Sequence, residues 1–332
     1  MPTALVTGAT GLVGSHIVER LLADGWTVRA LVRSPSSEAT SLGAETMRGD
    51  VLDRDSFVRS AGGCDAIFHT AAAITTSGGW DVYHRLNVDG TSNAIAAAES
   101  SGARLLQLSS VAVYGPSARY SAPGKKTDED RALGPLPERA YYARSKRESE
   151  ALVLEAHAAG RIWATAVRPN VIYGRRDRQF VPRMAKLLRR GLVPLIGGGR
   201  AIFSVTHAAN VADGAVRSVG CDVAGGRAYN LANDYEVTVR RFFELAGDGL
   251  GIRVRFVPIP LPAAKVAFGI VKSAARALTG GRFNVISNAS LGMLTKDNPF
   301  TSARARRELG WSPMVRPEQG VPEAFRWWMT HR

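Results

Sequence analysis

The sequence predicts an α/β fold: a doubly wound parallel sheet with helices on both faces, followed by a smaller, discontinuous C-terminal lobe. Two observations predict it. Short apolar or β-branched runs alternate with helical patterns through the first two thirds of the chain. The first of those runs leads straight into a turn carrying Gly8, Gly11 and Gly14, after which a helical pattern begins. With 332 residues, 45% apolar and 22% charged, the chain is long enough to bury a core of that size.

Taken in order, TALVT, TVRALV, AIFHTA, RLLQLS and WATAVR have the length and composition of buried parallel strands. Between them lie the helical patterns LVGSHIVERLLADG, DSFVRSAGG, DVYHRLNVDGTSNAIAAAES and ERAYYARSKRESEALVLEAHAAG. Gly25, Gly102 and Gly160 stand just past the last apolar positions, where a helix ends most easily. After Val171 the rhythm changes. VIYGRRDRQFVPRMAKLLRRG reads as a loop and a basic helix, and FSVTH and RAYNLAN as strands that rejoin the sheet. VTVRRFFELAGDG is an amphipathic helix, RVRFVPI a strand, and the tail from Pro260 a set of helices with loops. The expected organisation is a sheet domain over 1–170, rejoined by 201–233. A lobe from 171–200 and 234–332 is expected over the sheet's carboxyl edge. The Pro/Gly/Lys-rich stretch Ser117–Pro137 reads as a loop.

Several function classes fall away. No run reaches the roughly 18 apolar residues that span a bilayer. The first strand begins almost at Met1, which leaves no room for a signal peptide and predicts a cytoplasmic protein. Cys64 and Cys221 read as reduced thiols. The six histidines are scattered, and neither CxxC nor HExxH occurs, so no metal site is expected. Net charge is +14, but the arginines are spread along the chain, with short groups at 175–178, 189–190 and 304–307. Without interleaved aromatics this reads as solvated surface rather than a nucleic-acid patch. An anionic cofactor or substrate is the more economical partner.

The opening TALVTGATGLVGSHIVERLL is the strongest motif. Gly8 permits a tight turn, Gly11 lets the backbone approach a pyrophosphate, and Gly14 allows the helix to pack closely. Gly8, Thr10, Gly11, Leu12, Val13 and Gly14 then form a cradle whose helix N-terminus offers N–H groups and partial positive charge to phosphates. The second strand ends in LVRSPSS. An acidic residue there would accept ribose hydroxyls. This chain has Arg33 and Ser34 instead, a guanidinium and a hydroxyl suited to a 2′-phosphate. NADP(H) is therefore expected ahead of NAD(H), which stays possible.

The TGxxGxxG spacing resembles the extended branch of the short-chain dehydrogenase/reductase superfamily, the NAD-dependent epimerase/dehydratase family on a Rossmann sheet. Further motifs carry the resemblance along nearly the whole chain. It implies that Asp50 and Val51 of GDVLD flank the adenine and that Ala71, Ala72 and Ala73 of FHTAAA lie beside the cofactor. Asn87 of LNVDGT takes the place of a structural asparagine, and Pro169 of AVRPNVIYG packs against the nicotinamide. It makes Ser110, opening SxxVYG, the catalytic serine, and Tyr142 and Lys146 the YxxxK pair. Four residues apart, those two share one helix face. The chemistry suits them. A free phenol titrates at about 10, and a nearby ammonium favours the phenolate. Tyr142 is then general acid or base, Lys146 lowers its pKa and holds the nicotinamide ribose, and Ser110 orients the carbonyl oxygen.

Departures from pattern narrow the reaction. Val111 and Ala112 stand where sugar-nucleotide dehydratases carry acidic residues, and Arg33 speaks against the NAD-retaining epimerases. VRPNVIYGRRDRQFVPRM resembles 3β-hydroxysteroid dehydrogenase, dihydroflavonol reductase and 2-alkyl-3-oxoalkanoate reductase types, which implies an apolar ketone or secondary alcohol. The alternatives are a sugar-nucleotide epimerase and a non-catalytic NADP(H)-binding sensor. The resemblance also implies a homodimer through the helices Asn87–Ala98 and Tyr142–Ala159. PLPAAKVAFGIVKSAARALTGG, with Lys265, Lys272 and Arg276 on one face, reads as an amphipathic helix packed on its own domain in preference to a lid or a membrane-surface contact.

Overall fold

A computed structural model describes residues 1–34, 37–74, 78–116, 126–232, 234–264, 266, 267, 269 and 288–331. The alternation becomes β1 (Thr3–Thr7), α1 (Leu12–Ala23), β2 (Thr27–Val32), α2 (Ser37–Ser41), β3 (Glu45–Arg48), α3 (Arg54–Ala61) and β4 (Ala66–His69). Then come α4 (Trp80–Tyr83), a π-helical turn (His84–Asp89), α5 (Gly90–Ser101), β5 (Arg104–Leu108), a 3₁₀ turn (Val111–Tyr114), α6 (Tyr141–Ala158) and β6 (Ala164–Pro169). The rest is β7 (Val171–Tyr173), α7 (Phe180–Leu188), β8 (Leu192–Ile196), β9 (Val205–His207), α8 (Ala208–Val219), β10 (Ala228–Leu231), α9 (Val239–Leu250) and β11 (Arg255–Ile259). It ends with α10 (Asn288–Thr295), α11 (Ala303–Leu309) and α12 (Pro317–Thr330).

Seven strands form one sheet in the order β10-β6-β5-β4-β1-β2-β3, and every pairing is parallel. The period-2 alternation of a strand divides its side chains between two cores. Ala4, Val6, Phe68, Leu106 and Val167 face one way, with Ile17 and Leu21 of α1, Val211 and Ala215 of α8 and Ala305 of α11. Leu5, Ile67, Leu105 and Ala164 face the other, with Phe57 of α3, Ala94 and Ala97 of α5 and Val153 of α6. The sheet is thus covered on both faces, which is why β4 and β6 are buried at every position. Strand order reverses between β1 and β4, and loops leaving the carboxyl ends of such a pair flank a ligand crevice.

The chain divides into two units. The first holds Met1–Ile172, Thr206–Asp234 and Phe300–Val315; the second holds Tyr173–Val205, Tyr235–Pro299 and Arg316–Arg332. The second has its own aromatic core. Phe242 of α9 lies 5.0 Å from Phe203, 5.4 Å from Tyr173, 5.9 Å from Phe180 and 6.3 Å from Phe325, ring centre to ring centre. Asp177 accepts the N–H groups of Gln179, Phe180 and Val181 and so opens α7.

Four expectations change. RAYNLAN does rejoin the sheet as β10, but FSVTH does not: its strand β9 pairs with β7 in a separate two-stranded sheet. VIY, read as loop, is that partner strand. Phe300–Val315 belongs to the first unit rather than the C-terminal lobe, because Ala305, Leu309 and Trp311 fill the core beside α8. Finally β3 and β8 went unread. ETMR lies at the sheet edge with no residue fully buried, so it lacks an apolar run. Much of 261–279, including Lys265, Val271, Lys272, Ala274, Arg276 and Leu278, and 117–125 of the loop lie outside the described residues.

Candidate active site

The turn after β1 is shaped by backbone crowding. Gly8 has φ +66°, and a Cβ built on it would sit 2.9 Å from the Ala71 nitrogen. A Cβ on Gly14 would sit 2.2 Å from the Gly8 carbonyl oxygen. Gly14 therefore lets α1 start directly against the turn. The N-terminus of α1, at Gly11, has no side-chain cap and no acidic residue in its first turn. Uncapped N–H groups beside a side-chain-free turn fit a pyrophosphate. Val13 is buried, while Thr10 and Leu12 are half-buried.

Across the switch point the chain after β4 is tied to β1. Thr70 Oγ1 donates to the Thr7 carbonyl (2.7 Å), and the N–H groups of Thr70 and Ala71 both donate to Thr7 Oγ1 (3.2 Å). Asn87, in the π-helical turn, fixes the next residues. Its Oδ1 accepts the Ala73 N–H (2.7 Å), and its Nδ2 donates to the Ala73 carbonyl (3.0 Å) and to Ser145 Oγ of α6 (2.9 Å). Ala71–Ala73 are thereby held beside the glycine turn, and α6 is anchored to the same stretch.

Beyond β2 and β3, Arg33, Arg48, Gly49, Asp50, Asp53, Ser56 and Arg59 line an open cleft of about 380 Å³. The two carboxylates are occupied locally. Asp50 Oδ1 accepts the Leu52 N–H, and Asp53 Oδ1 accepts those of Asp55 and Ser56. The Ser56 hydrogen bonds hold Asp53 below the usual carboxylate range. Among the described residues, none of the three arginines is joined to a carboxylate in an ion pair. Ser34 is exposed beside Arg33, and Val51 is half-buried, its carbonyl accepting Asn93 Nδ2 (2.9 Å).

The end of β5 and the start of α6 converge. Lys146 is 3% exposed, and its Nζ donates to the Leu108 carbonyl at 2.6 Å. Arg147 Nε donates to the Val113 carbonyl at 3.0 Å. Ser110 caps the intervening 3₁₀ turn, accepting the Ala112 N–H (3.2 Å), and stays half-buried. Ser109 is sealed, its Oγ buried without a partner among the described residues. Tyr142, half-buried, lies one helical turn before Lys146. Pro169 ends β6, buried, beside Leu231 of β10.

Burial pushes the Lys146 ammonium down to about 8, against an upward pull from Glu150. Burial, with the Lys146 charge nearby, pushes His69 down to about 3, so its imidazole is neutral. Glu150 is committed elsewhere, to a buried bidentate pair with Arg168 at 2.5 and 2.9 Å. Burial opposes the Arg168 charge, but the Glu150 and Tyr114 hydrogen bonds outweigh it and hold the guanidinium above its ordinary value. Arg168 Nη1 donates to the Tyr114 hydroxyl (2.8 Å), which donates to Asn230 Oδ1 (2.9 Å).

Residues 4–232 match the NAD dependent epimerase/dehydratase family. The chain belongs to that family. It is an NAD(P)-dependent dehydrogenase/reductase on the fold of the extended short-chain enzymes. Over 322 residues it is 33% identical to a 4-hydroxy-2-methyl-3-oxo-4-farnesyl-3,4-dihydroquinoline-1-oxide ketoreductase of Stigmatella aurantiaca, covering 95% of this chain and 93% of that one. A 2-alkyl-3-oxoalkanoate reductase of Shewanella oneidensis is 28% identical, with 96% and 84% covered. The crystal structure of gox2253 superposes with a TM-score of 0.77 at 26% identity, covering 100% of this chain and 99% of that chain. A Thermus thermophilus UDP-glucose 4-epimerase in complex with NAD shares the fold, with a TM-score of 0.72 at 19% identity and 99% and 100% covered.

The residues singled out by the sequence motifs form two groups on this sheet. Gly8–Gly14, Ala71–Ala73 and Asn87 gather at the switch point, and Ser110, Tyr142 and Lys146 at the end of β5 and the start of α6. Arg33 and Asp50 line the outer cleft, and Ser34 is exposed next to Arg33 in sequence. Sequence reasoning missed Arg48 and Arg59, which reach that cleft from β3 and α3, and the buried His69. Reading ETMR as an edge strand would have placed Arg48 beside Asp50.

Because Lys146 titrates at about 8 when folded and near 10.5 when unfolded, it raises stability as pH climbs through that window. Below about 8 the buried ammonium costs its full penalty. The stability difference between the parent and Lys146→Met should move in the parent's favour by roughly 3 kcal/mol between pH 7.5 and 10.5. Denaturant unfolding across that range measures it, and a pH-independent difference would show that the ammonium ionises as it does in water.

Proposed function

We propose that this enzyme interconverts a ketone and a secondary alcohol on a lipophilic substrate, with NADP(H) as preferred cofactor. The observation that carries the reading is the buried, carbonyl-anchored Lys146 one turn from Tyr142, directly against the β5 end that bears Ser110. Bound at the switch point, the nicotinamide would supply or accept a hydride. The chain's own residues then manage the proton and the charge on oxygen. Tyr142 gives its phenolic proton to the carbonyl oxygen in reduction and takes it back in oxidation. The Lys146 ammonium favours the phenolate. The Ser110 hydroxyl orients the same oxygen and stabilises charge developing on it. Gly8–Gly14 would hold the pyrophosphate, Ala71–Ala73 and Pro169 the walls beside it, and Asp50 and Val51 the adenine.

A lipophilic substrate is supported by two relatives whose names join a 3-oxo group to a farnesyl or alkyl substituent. We assign substrate recognition to the second unit. NADP(H) is supported by Arg33, Arg48 and Arg59, which line one cleft whose carboxylates are occupied by backbone N–H groups. A 2′-phosphate leaving water needs such cations.

We further propose a homodimer through α5 and α6; on α6, Ala151 is exposed and Leu154 only half-buried, while Leu152 packs partly on the protein's own core. Light scattering should then give twice 35.5 kDa, and a monomer mass would remove the interface.

Tyr142→Phe should lower turnover about a hundredfold or more with cofactor binding largely kept. A near-normal rate would remove Tyr142 from the chemistry. Arg33→Ala should weaken NADPH by roughly 1.5–3 kcal/mol and leave NADH little changed. kcat/KM with each cofactor tests this, and a parent enzyme that uses NADH at least as well overturns the NADP assignment.

A further inference from the structure

We propose that the second unit docks on an anionic lipid surface through the outer face of the β8–β11 pair. The charge of the chain is divided very unevenly. The second unit's 115 residues carry 20 lysines and arginines against 7 aspartates and glutamates, a net +13. The first unit's 217 residues carry 23 against 22, a net +1. Nearly all of the +14 therefore sits on one third of the chain.

Within that unit, β8 and β11 pair in parallel, with Leu192 opposite Arg255, Pro194 opposite Val257 and Ile196 opposite Ile259. The alternate residues of β8, Val193 and Leu195, are buried, while of their β11 partners Phe256 is half-buried and Pro258 exposed. A strand with one buried face should present polar side chains on the other. This pair presents Leu192, 57% exposed, Val257, 42% exposed, and Pro194, also exposed. Past β11 the chain exposes another apolar side chain, Val266, at 64%. Exposed arginines adjoin the face: Arg190 just before β8, Arg253 just before β11, and Arg255, the first residue of β11, on the face itself. None of these three forms an ion pair among the described residues.

Apolar side chains ringed by unspent cations suit a bilayer interface, where the former enter the headgroup boundary and the latter meet anionic lipid. A second copy of the unit, itself +13, would be repelled. Nucleic acid would find no aromatic ring among the described residues of this face to stack a base. The contact proposed is peripheral; no helix among the described residues is long and apolar enough to cross a membrane.

The full chain should co-sediment with vesicles containing about 30% phosphatidylglycerol at about 0.1 M salt and far less with pure phosphatidylcholine vesicles. Arg190→Gln with Arg255→Gln should lower the partition coefficient about tenfold or more. Leu192→Ser with Val257→Ser should lower it by a similar factor. The matched pair Arg85→Gln with Arg139→Gln, exposed cations of the first unit, should leave it unchanged, with circular dichroism confirming each fold. Absence of binding to the anionic vesicles overturns the proposal. So does an equal loss in the first-unit pair, which would mark diffuse charge. A Leu192/Val257 variant that binds vesicles as the parent does, while duplex DNA competes the parent off them, would assign the charge to nucleic acid instead.

Discussion

Gly8 and Gly14 meet where no side chain has room. A Cβ on Gly14 would overlap the Gly8 carbonyl, and one on Gly8 would crowd Thr70 and Ala71. Removing side chains at both positions lets the first helix begin against the turn itself, leaving its N–H groups free. Thr7 then uses its one hydroxyl and its carbonyl to hold the chain leaving β4 against the same turn. The parallel sheet supplies the switch point, but this contact decides how close the two loops stand. The rest of the site is hung from it: Ala73 holds Asn87, and Asn87 holds Ser145 on the helix that carries Tyr142 and Lys146.

The second determinant is which buried charge is paired. Lys146 and Glu150 are one turn apart and could have formed an ordinary helix-surface pair. Glu150 instead spends both oxygens on Arg168 inside the protein. Breaking such a pair costs about 3–5 kcal/mol, because the survivor is left buried and alone. Lys146 has the Leu108 carbonyl as its hydrogen-bond partner among the described residues, so desolvation dominates and its pKa falls toward neutrality. At neutral pH a lysine titrating at about 8 still carries its charge for the most part.

The strands with continuous apolar runs, β1, β2, β4, β5 and β6, were legible because two-sided burial demands such runs. The glycine turn and the Tyr142–Lys146 spacing were legible because each needs particular residues at particular intervals. Edge strands were not. ETMR buries almost nothing, and the pairing of VIY with VTH depends on where the chain returns after more than thirty residues, which periodicity does not encode. The return of Phe300–Val315 to the first unit was equally invisible, since Trp311 and Leu309 look like any amphipathic tail until α8 is beside them. Arg33 was readable from its place after β2. Arg48 and Arg59 share its cleft only through tertiary structure.

The near-neutrality of the first unit bears on how an anion is recognised there. With a net +1, the unit offers no broad field to draw a polyphosphate in. Whatever attraction it exerts must come from placement: N–H groups left uncapped at the start of α1, and three arginines in a cleft whose two carboxylates already accept backbone donors. Asp53 still feels the Arg59 charge, but three arginines against two carboxylates leave the cleft net positive at short range. Salt screens interactions beyond about 10 Å at ordinary ionic strength, so it would leave such contacts largely intact. The second unit's dispersed +13 belongs to the opposite regime, a long-range attraction that added salt removes first.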